Sequence, residues 1–228
     1  MEIIVETLLE TRDLSKLYSI GEQKIKVLQS VSLTVQEGEF VVISGSSGSG
    51  KTTLLSLLSG LDRPSGGRII LDGQDITDLT EDQLAPVRNQ LTGFVFQAFH
   101  LIPSLNSLEN IMFPAELLGD RLAKEKAERL LESVGLSLRW NSFPEQLSGG
   151  EKQRVAICRA LVNEPKIIFA DEPTGNLDSE NSNGIIELLR RIHQDKNATI
   201  VMATHNKAIA ENADRIFHLH DGRLSVER

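Results

Sequence analysis

The sequence predicts an α/β fold with an antiparallel β-layer at its N-terminal end and an α-helical subdomain inserted further along the chain. Residues 7–40 alternate between polar and apolar side chains, which is typical of strands with one buried face. Several later segments are short, continuous apolar runs that stop at glycine or at a polar residue, as buried strands do. Residues 98–146 have prolines and a helical stripe but no strand pattern, which indicates a helical insertion.

The length of 228 residues suits one large domain or one domain with an inserted subdomain. We expect residues 1–228 to form a single unit. In this division, residues 1–97 and 147–228 make the core with its β-layer, and residues 98–146 make the helical subdomain.

The charge and the cysteine content argue against several classes of protein. The formal net charge of −8 leaves no basic excess to neutralise nucleic-acid phosphates, so we expect no nucleic acid partner. Cys158 is the only cysteine, which excludes an internal disulfide and fits a reducing compartment. No apolar stretch approaches the roughly 18 to 20 residues that span a bilayer, and residues 1–6 lack the basic start of a signal peptide. We therefore expect a soluble cytoplasmic protein that reaches a membrane only through a partner.

A glycine-rich segment follows the apolar run of residues 40–43 and precedes leucines at helical spacing, which end at Gly60, a candidate C-cap. Such a turn forms a phosphate cradle, because its glycines let N–H groups turn inward and the helix N-terminus adds positive charge. In the pattern G-x-x-x-x-G-K-[ST], Lys51 reaches the β- and γ-phosphates and the Thr52 hydroxyl ligates Mg²⁺. An ordinary glycine-rich turn is the alternative that this context disfavours. The cradle residues are Gly45, Ser46, Ser47, Gly48, Ser49, Gly50, Lys51, Thr52 and Thr53.

The next segments predict two more strands and then helices. Residues 68–71 lead to a turn at Asp72 and Gly73, and residues 93–97 form a buried run that ends in the polar side chain of Gln97. Within residues 98–146, one helix has an apolar stripe and a charged face for solvent. The stripe consists of Ala123, Ala127, Leu130, Leu131 and Val134.

The segment around Ser148 predicts the start of another helix. Ser148 and Glu151 have the spacing of a capping box. Gly149 and Gly150 would also expose amides to an anion at a helix N-terminus, and the two interpretations are compatible. Cys158, inside this helix, is most simply a small core residue.

Two adjacent carboxylates, Asp171 and Glu172, end an apolar strand that begins at residue 167. Burying two like charges is costly unless a cation or hydrogen bonds compensate for it. Neighbouring side chains of a strand point to opposite sides. We therefore expect one carboxylate to face Mg²⁺ and the other to face a water molecule beside the γ-phosphate. An acidic turn at a strand end is the simpler alternative.

His205 ends a further apolar strand that begins at residue 199, at the edge where open α/β sheets bind ligands. A lone histidine is more often structural than functional, so its position carries this hypothesis. Asp178 is predicted to cap the helix that carries Ile185 and Leu189. Residues 215–224 are predicted to form a terminal hairpin.

These motifs, in this order, resemble those of the ATP-binding subunit of ABC transporters over nearly the whole chain. The most specific is LSGGEKQRVAI at residues 147–157, because other phosphate-loop ATPases lack it. The resemblance implies a P-loop NTPase (ABC ATPase) core, ATP as the ligand and Mg²⁺ as the metal ion. It makes residues 45–53 the Walker A loop.

The other roles that the resemblance implies are those of Tyr18 (stacking on adenine), Gln97 (sensing the γ-phosphate and Mg²⁺), Ser148, Gly149 and Gly150 (contacting the γ-phosphate held by the opposite subunit), Asp171 (the Walker B aspartate), Glu172 (the catalytic base), Asp178 (the D-loop) and His205 (the switch histidine). Without the resemblance, Tyr18 would be taken as a half-exposed aromatic at a strand end.

The segments at residues 94–111 and 170–179 are similar to those of the lipoprotein-release, macrolide-export and FtsE-like cell-division group. Two residues depart from the family pattern. Asn206 stands where an aspartate is usual, and Cys158 where an alanine is usual. Neither has a catalytic role by the resemblance.

The resemblance implies that two copies close head to tail, with each ATP between the Walker A loop of one copy and the signature of the other. Lys51, Glu172 and His205 would then assist hydrolysis beside Mg²⁺. The implied partners are permease subunits, which would hold the protein on the inner face of the cell membrane. A short helix of the permease would dock in a groove beside residues 97–110, with Leu101 as a candidate groove residue.

Of two other outputs, the first remains open at this point and the second is disfavoured. One is a cell-division ATPase that signals mechanically to cell-wall hydrolases. The other, a chromosome or DNA-repair ATPase, would need a long coiled-coil insertion, for which residues 98–146 are too short.

Overall fold

The computed structural model describes residues 6–21, 23–210 and 213–227. It contains two sheets and confirms the α/β class with an antiparallel layer and a helical subdomain. The four-stranded sheet is antiparallel, in the order β2-β1-β4-β5. Its strands are β1 (Thr7–Ile20), β2 (Gln23–Gln36), β4 (Gly66–Leu71) and β5 (Gln74–Asp75).

The six-stranded sheet forms the centre of the molecule, in the order β10-β9-β3-β8-β7-β6. All of its neighbouring strands are parallel except the terminal hairpin of β9 and β10, which confirms that prediction. Its strands are β3 (Phe40–Ser44), β6 (Thr92–Val95), β7 (Ile167–Asp171), β8 (Thr199–Thr204), β9 (Arg215–His220) and β10 (Arg223–Glu227).

Seven α-helices connect these strands in the described ranges. They are α1 (Lys51–Leu58), α2 (Glu81–Leu91), α3 (Ser107–Leu117), α4 (Ala123–Ser133), α5 (Gly149–Leu161), α6 (Ser179–Lys196) and α7 (Lys207–Ala210). None of them combines the length with the apolar composition needed to cross a bilayer, as far as the described residues show.

Three apolar clusters hold these layers together. The first lies between the antiparallel sheet, α1 and one face of the central sheet. The second lies under α5 and α6 on the opposite face. The third joins α3 and α4 to α5, with Ala127 and Leu131 of the predicted stripe buried in it beside Cys158. Helix α5 is thus shared between the core and the helical region, and the boundaries at residues 97 and 147 stay a prediction.

Three predicted strands end earlier than the sequence suggested. β6 stops at Val95, β7 at Asp171 and β8 at Thr204. Gln97, Glu172 and His205 therefore lie in the loops that follow parallel strands. The side chains there are oriented by loop conformation rather than by the alternation of a strand.

Helix α2 was not predicted. Thr80 and Gln83 form a capping box at its start, a signal that the sequence carries. Pro86 lies inside the helix and interrupts the apolar pattern. The predicted C-cap of α1 is displaced by one residue, since Ser59 is the cap and Gly60 follows it in a left-handed conformation (φ 71°).

Candidate functional site

A cleft of about 660 Å³ lies where the carboxyl ends of the central strands meet the start of α1. Parallel strands place their following loops at one edge of the sheet, so distant segments come together there. The cleft is lined by Val27, Ser46, Ser47, Gly48, Gly50, Lys51, Thr52, Thr53, Gln97, Glu172 and His205. The structure therefore unites most of the predicted Walker A residues with Gln97, Glu172 and His205.

The loop from Gly45 to Gly50 owes its shape to its glycines. Gly48 and Gly50 have φ of 80° and 103°, conformations that side chains rarely adopt. A Cβ at Gly45 would lie 2.4 Å from the carbonyl oxygen of Leu219 on β9. The loop is therefore seated directly against the sheet, where larger residues do not fit.

Lys51 is buried and turned back into this loop. Its Nζ donates to the carbonyl oxygens of Gly45 (2.8 Å) and Ser46 (3.1 Å) and lies 3.5 Å from Glu172 Oε1. Phosphate oxygens would be stronger acceptors for this ammonium group than carbonyls are. The cation is thus held at the floor of the cleft.

Asp171 lies behind Lys51, and its carboxylate is incompletely hydrogen-bonded. Burial raises the pKa of Asp171, and the charge of Glu172 adds to this rise, whereas the Thr52 hydroxyl and Lys51 oppose it. In the described part of the chain, Asp171 Oδ1 is buried without a hydrogen-bond partner. A buried carboxylate oxygen without a hydrogen-bond partner and a neighbouring hydroxyl oxygen are two oxygen ligands that suit a hard cation.

The side chain of Glu172 is oriented by a backbone turn that the sequence did not reveal. Its φ of 44° turns the backbone out of the strand, and its N–H donates to the carbonyl oxygen of Ala203 (2.9 Å). The carboxylate lies 3.0 Å from His205 Nδ1 as well as near Lys51. The two carboxylates are separated by a left-handed turn, so the argument from strand alternation was wrong for Glu172.

Gln97 is fixed by two residues to which sequence reasoning assigned no role. Gln97 Nε2 donates to Asn176 Oδ1 (3.3 Å), and Asn176 Nδ2 donates to the Gln97 carbonyl oxygen (3.0 Å). A Cβ at Gly175 would lie 2.6 Å from Gln97 Nε2. The glycine and the asparagine that follow the two carboxylates therefore shape the seat of Gln97. Their position three and four residues after Glu172 was the available signal.

Gln153 is a second missed residue. It lies on α5, is fully buried and donates through Nε2 to the carbonyl oxygen of Pro173 (2.7 Å). This bond joins the helix that begins at Ser148 to the loop that follows Glu172. A polar residue on an otherwise apolar helix face was its only signal in the sequence.

Tyr18 lies outside the residues that line the cleft. Its hydroxyl donates to Asp62 Oδ2 (2.8 Å), and Lys16 Nζ lies 4.8 Å from the centre of its ring. Burial, with the bond to Asp62, raises the pKa of Tyr18, while a bond to the side chain of Thr53 opposes this rise. The half-exposed ring thus adjoins the end of the phosphate loop, and its adenine role stays a prediction.

Ser148, Gly149 and Gly150 are absent from the lining of the cleft. The predicted capping box is present, since the Ser148 side chain accepts from Glu151 N (3.3 Å) and Glu151 Oε2 accepts from Ser148 N (2.8 Å). A Cβ at Gly150 would lie 2.2 Å from Asn181 Oδ1 on α6.

The start of α6 adjoins this region and is also capped as predicted. Asp178 Oδ1 accepts from the N–H of Asn181 (2.8 Å), and Asp178 Oδ2 accepts from the Asn181 side chain (2.8 Å). Asp178, like Ser148, does not line the cleft. Within one chain, the cleft and the N-terminal ends of α5 and α6 are therefore separate.

A family model described as "ABC transporter" matches residues 28–175. The macrolide export ATP-binding/permease protein MacB of Syntrophobacter fumaroxidans is 46% identical over 224 residues, which cover 96% of this chain and 31% of that protein. The lipoprotein-releasing system ATP-binding protein LolD 2 of Chlorobaculum tepidum is 46% identical over 228 residues, covering 96% of this chain and 92% of that protein.

A solved dimeric structure is similar to the whole of this fold. It shows a post-hydrolysis state of the ATP-binding cassette MJ0796 bound to ADP and Pi. Its TM-score with this chain is 0.88 at 40% sequence identity, over 97% of both chains. By contrast, this chain spans 31% of the length of the MacB relative, whose remainder has no counterpart in these residues.

Proposed function

The chain belongs to the ABC transporter family, and from that premise we propose that it is an ATP-hydrolysing subunit which powers a membrane export or lipoprotein-extraction complex. The observation that carries the proposal is the position of Glu172 between Lys51 and His205 (3.5 and 3.0 Å) at the floor of the cleft. A carboxylate held between two potential proton donors beside a phosphate cradle is suited to act on a water molecule.

Each side chain then has one task in the hydrolysis of ATP. Lys51 releases its two carbonyl acceptors and donates to phosphate oxygens, which stabilises the charge of the transferring group. Glu172 orients the attacking water and accepts its proton. His205 donates toward the γ-phosphate from the far side of Glu172, and Gln97 holds the opposite wall of the cleft.

Asp171 and Thr52 fit the Mg²⁺ that usually accompanies ATP. The unpaired Oδ1 of Asp171 and the raised pKa caused by its burial are what a carboxylate shows when a cation is its natural partner. Gln97 would add an amide oxygen to this donor set. The bound ion would supply Lewis-acid stabilisation of the phosphate oxygens.

A second copy of the chain would complete each site. Ser148, Gly149 and Gly150 lie away from the cleft of their own chain, yet they form a helix N-terminus suited to phosphate. A head-to-tail dimer would bring them over the ATP held by the partner, as the dimeric state of the MJ0796 structure supports. ATP then favours the closed dimer, and its hydrolysis reopens it.

The output is proposed from the relatives. MacB is named for macrolide export and LolD 2 for lipoprotein release, so an export or extraction complex is favoured over cell-division signalling. The ATP-binding and permease parts of MacB share one name, and this chain matches the ATP-binding part. We therefore infer integral membrane permease subunits as partners and a peripheral position on the inner face of the membrane.

The hydrolytic role is tested by replacing Glu172 with glutamine. The Glu172→Gln variant should bind Mg·ATP but lose at least about a hundredfold in turnover, because an amide cannot accept the proton. With ATP it should elute as a dimer in size-exclusion chromatography. A monomeric variant with normal turnover would remove Glu172 from this role.

The permease is proposed to dock in a groove between the core and the helical region. This groove has a volume of about 320 Å³, and Leu61, Phe94, Phe96 and Pro114 contribute its apolar surface. Leu101, the groove residue suggested by the sequence, instead packs against the third apolar cluster, so it is a poor probe of docking.

Leu61, which is 47% exposed, is the better probe. Leu61→Glu should retain the ATPase activity of the isolated chain but lose co-purification with the permease. Leu138→Glu is the matched control, since Leu138 is 96% exposed and lies outside the groove. Equal co-purification of both variants would place the docking site elsewhere.

A further inference from the structure

The loop that follows Gln97 has an unusual backbone. Phe99 and His100 both have positive φ, 62° and 47°, although neither is glycine. Two consecutive bulky residues in the left-handed region are strained, and they persist only where surrounding contacts hold them. The N–H of His100 donates to the carbonyl oxygen of Ala98 (2.6 Å), so the chain turns very tightly here.

The contact that holds this turn comes from Arg159, on α5. Its Nη1 donates to the carbonyl oxygen of His100 (2.5 Å), and its Nη2 donates to that of Phe99 (2.9 Å). The consecutive left-handed residues place two neighbouring carbonyls within reach of one planar guanidinium fork, whose two nitrogens hold them at a fixed separation, whereas a lysine offers one nitrogen on a flexible stem. Burial lowers the pKa of Arg159, and no carboxylate of the described residues forms an ion pair with it. The guanidinium is therefore committed to the backbone of this loop.

We propose that Arg159 is a positioning residue which holds residues 98–100 in this strained turn and thereby keeps Gln97 against Asn176 at the mouth of the cleft. The inference rests on the proposed function for its catalytic consequence, but not for the contact itself. Arg159 lies on the same helix that begins at Ser148. The contact of Arg159 therefore joins the loop after Gln97, at the ATP site of its own chain, to helix α5. The N-terminal end of this helix would serve the ATP site of the partner copy.

The contact is tested first without any nucleotide. In hydrogen–deuterium exchange of the full chain, Arg159→Lys should increase exchange of the amides of residues 97–102 by about tenfold or more, because the strained turn opens more often. Arg215→Lys is the matched control. Arg215 also donates to a backbone carbonyl oxygen, that of Thr34 (3.1 Å), but it lies on β9, away from this loop. Unchanged exchange at residues 97–102 in Arg159→Lys would overturn the proposal, whether or not the chain hydrolyses ATP.

The consequence is tested by a double-mutant cycle on ATP turnover. Arg159→Lys should lower kcat about tenfold with less than about a threefold change in KM, and Gln97→Ala should have a similar effect. If Arg159 acts through Gln97, the double variant should lose no more than Gln97→Ala alone. Additive losses would instead assign Arg159 a general structural role and overturn the proposal. Arg215→Lys again measures the general effect of replacing a partly buried arginine.

Discussion

Under the proposed function, the cleft and the N-terminal end of α5 both contact phosphate, but they differ in how their polar groups are satisfied. Next to residues that line the cleft, Asp171 Oδ1 and Ser49 Oγ are buried without hydrogen-bond partners among the described residues, and Lys51 is bonded to its own loop. At the start of α5, the side chains of Ser148 and Glu151 complete a capping box within the chain.

This difference indicates that the cleft binds the ligand, whereas the end of α5 completes the site of a partner copy. The cleft is a site that one chain can nearly complete, and its unpaired groups are ready for a ligand with a metal ion. At the end of α5, the capping box already satisfies the N–H groups of Ser148 and Glu151 within the chain. We therefore expect changes in the cleft to affect ATP binding by a single chain, and changes at Ser148 to affect ATP turnover only through the paired state.

The largest effect is expected for Lys51→Ala. The buried ammonium is the principal cation of the cleft, and charge-assisted bonds to phosphate are stronger than those from the remaining amides. Affinity for ATP should fall by about a hundredfold or more, which corresponds to about 3 kcal/mol. Calorimetric titration of the isolated chain measures this directly, and unchanged affinity would contradict the role of Lys51.

A mixing experiment separates the two regions. Lys51→Ala damages the cleft, and Ser148→Arg damages the α5 end, so each homodimer has two defective sites. In a mixed head-to-tail dimer, both defects fall on one site and the other site is intact. Mixing equal amounts of the two inactive variants should restore about a quarter of wild-type turnover, if the sites work independently.

Two controls make this experiment decisive. Ser148→Arg alone should bind ATP like the wild type, because Ser148 does not line the cleft of its own chain. Ser148→Asn keeps a residue that caps helices, so it separates loss of the cap from loss of the phosphate contact. Normal turnover of unmixed Ser148→Arg would show that the α5 end does not serve the partner site.

The sequence predicted the fold class, the antiparallel layer and the caps at Ser148 and Asp178, because these depend on local patterns. Periodicity and capping are encoded within a few residues, so a single chain reveals them. The phosphate loop was predictable for the same reason. Its glycines and lysine are contiguous, and the structure places them at the cleft.

The remaining features depend on contacts between distant residues. The φ of 44° at Glu172 follows from a hydrogen bond to Ala203 on a neighbouring strand, which no local pattern specifies. Arg159 has a role only because α5 passes beneath the loop at residues 98–100. Helix α2 was missed although its capping box is local, because Pro86 masked the pattern.

Substitutions of Tyr18 test whether the ATP site extends from the cleft to the antiparallel sheet. If its ring stacks on adenine, Tyr18→Ala should weaken ATP binding about tenfold, within the usual range for aromatic–base stacking. Tyr18→Phe should bind ATP normally. It should nevertheless lose about 1 kcal/mol of stability, because the hydroxyl bond to Asp62 (2.8 Å) is removed. Equal ATP affinity of both variants and the wild type would leave Tyr18 as a structural residue.

The smallest expected effects are changes in the free energy of unfolding, and they should have opposite signs for Asp171→Asn and Ser148→Ala. Asp171→Asn removes the charge of a buried carboxylate whose Oδ1 has no hydrogen-bond partner among the described residues, and it should stabilise the nucleotide-free chain by about 1 kcal/mol. Ser148→Ala removes a cap that is already satisfied and should destabilise the chain by a similar amount, about 1 kcal/mol. For a chain of this size, each change corresponds to a shift in Tm of about 2–4 °C, measurable by calorimetry.

The sign for Asp171 follows from its pKa, which burial raises in the folded chain. A carboxyl group with a raised folded pKa favours folding while it is protonated, and this contribution is lost as the pH rises through the raised pKa. The advantage of Asp171→Asn should therefore be larger at pH 7 than in acid, and it should disappear on acidification below the ordinary carboxyl pKa of about 3.9. The deficit of Ser148→Ala should keep its sign across that range, because the bond from the Glu151 N–H to the Ser148 hydroxyl does not titrate. A destabilised Asp171→Asn chain at pH 7 would show that the carboxylate is well paired without a cation, and would remove the contrast between the cleft and the α5 end.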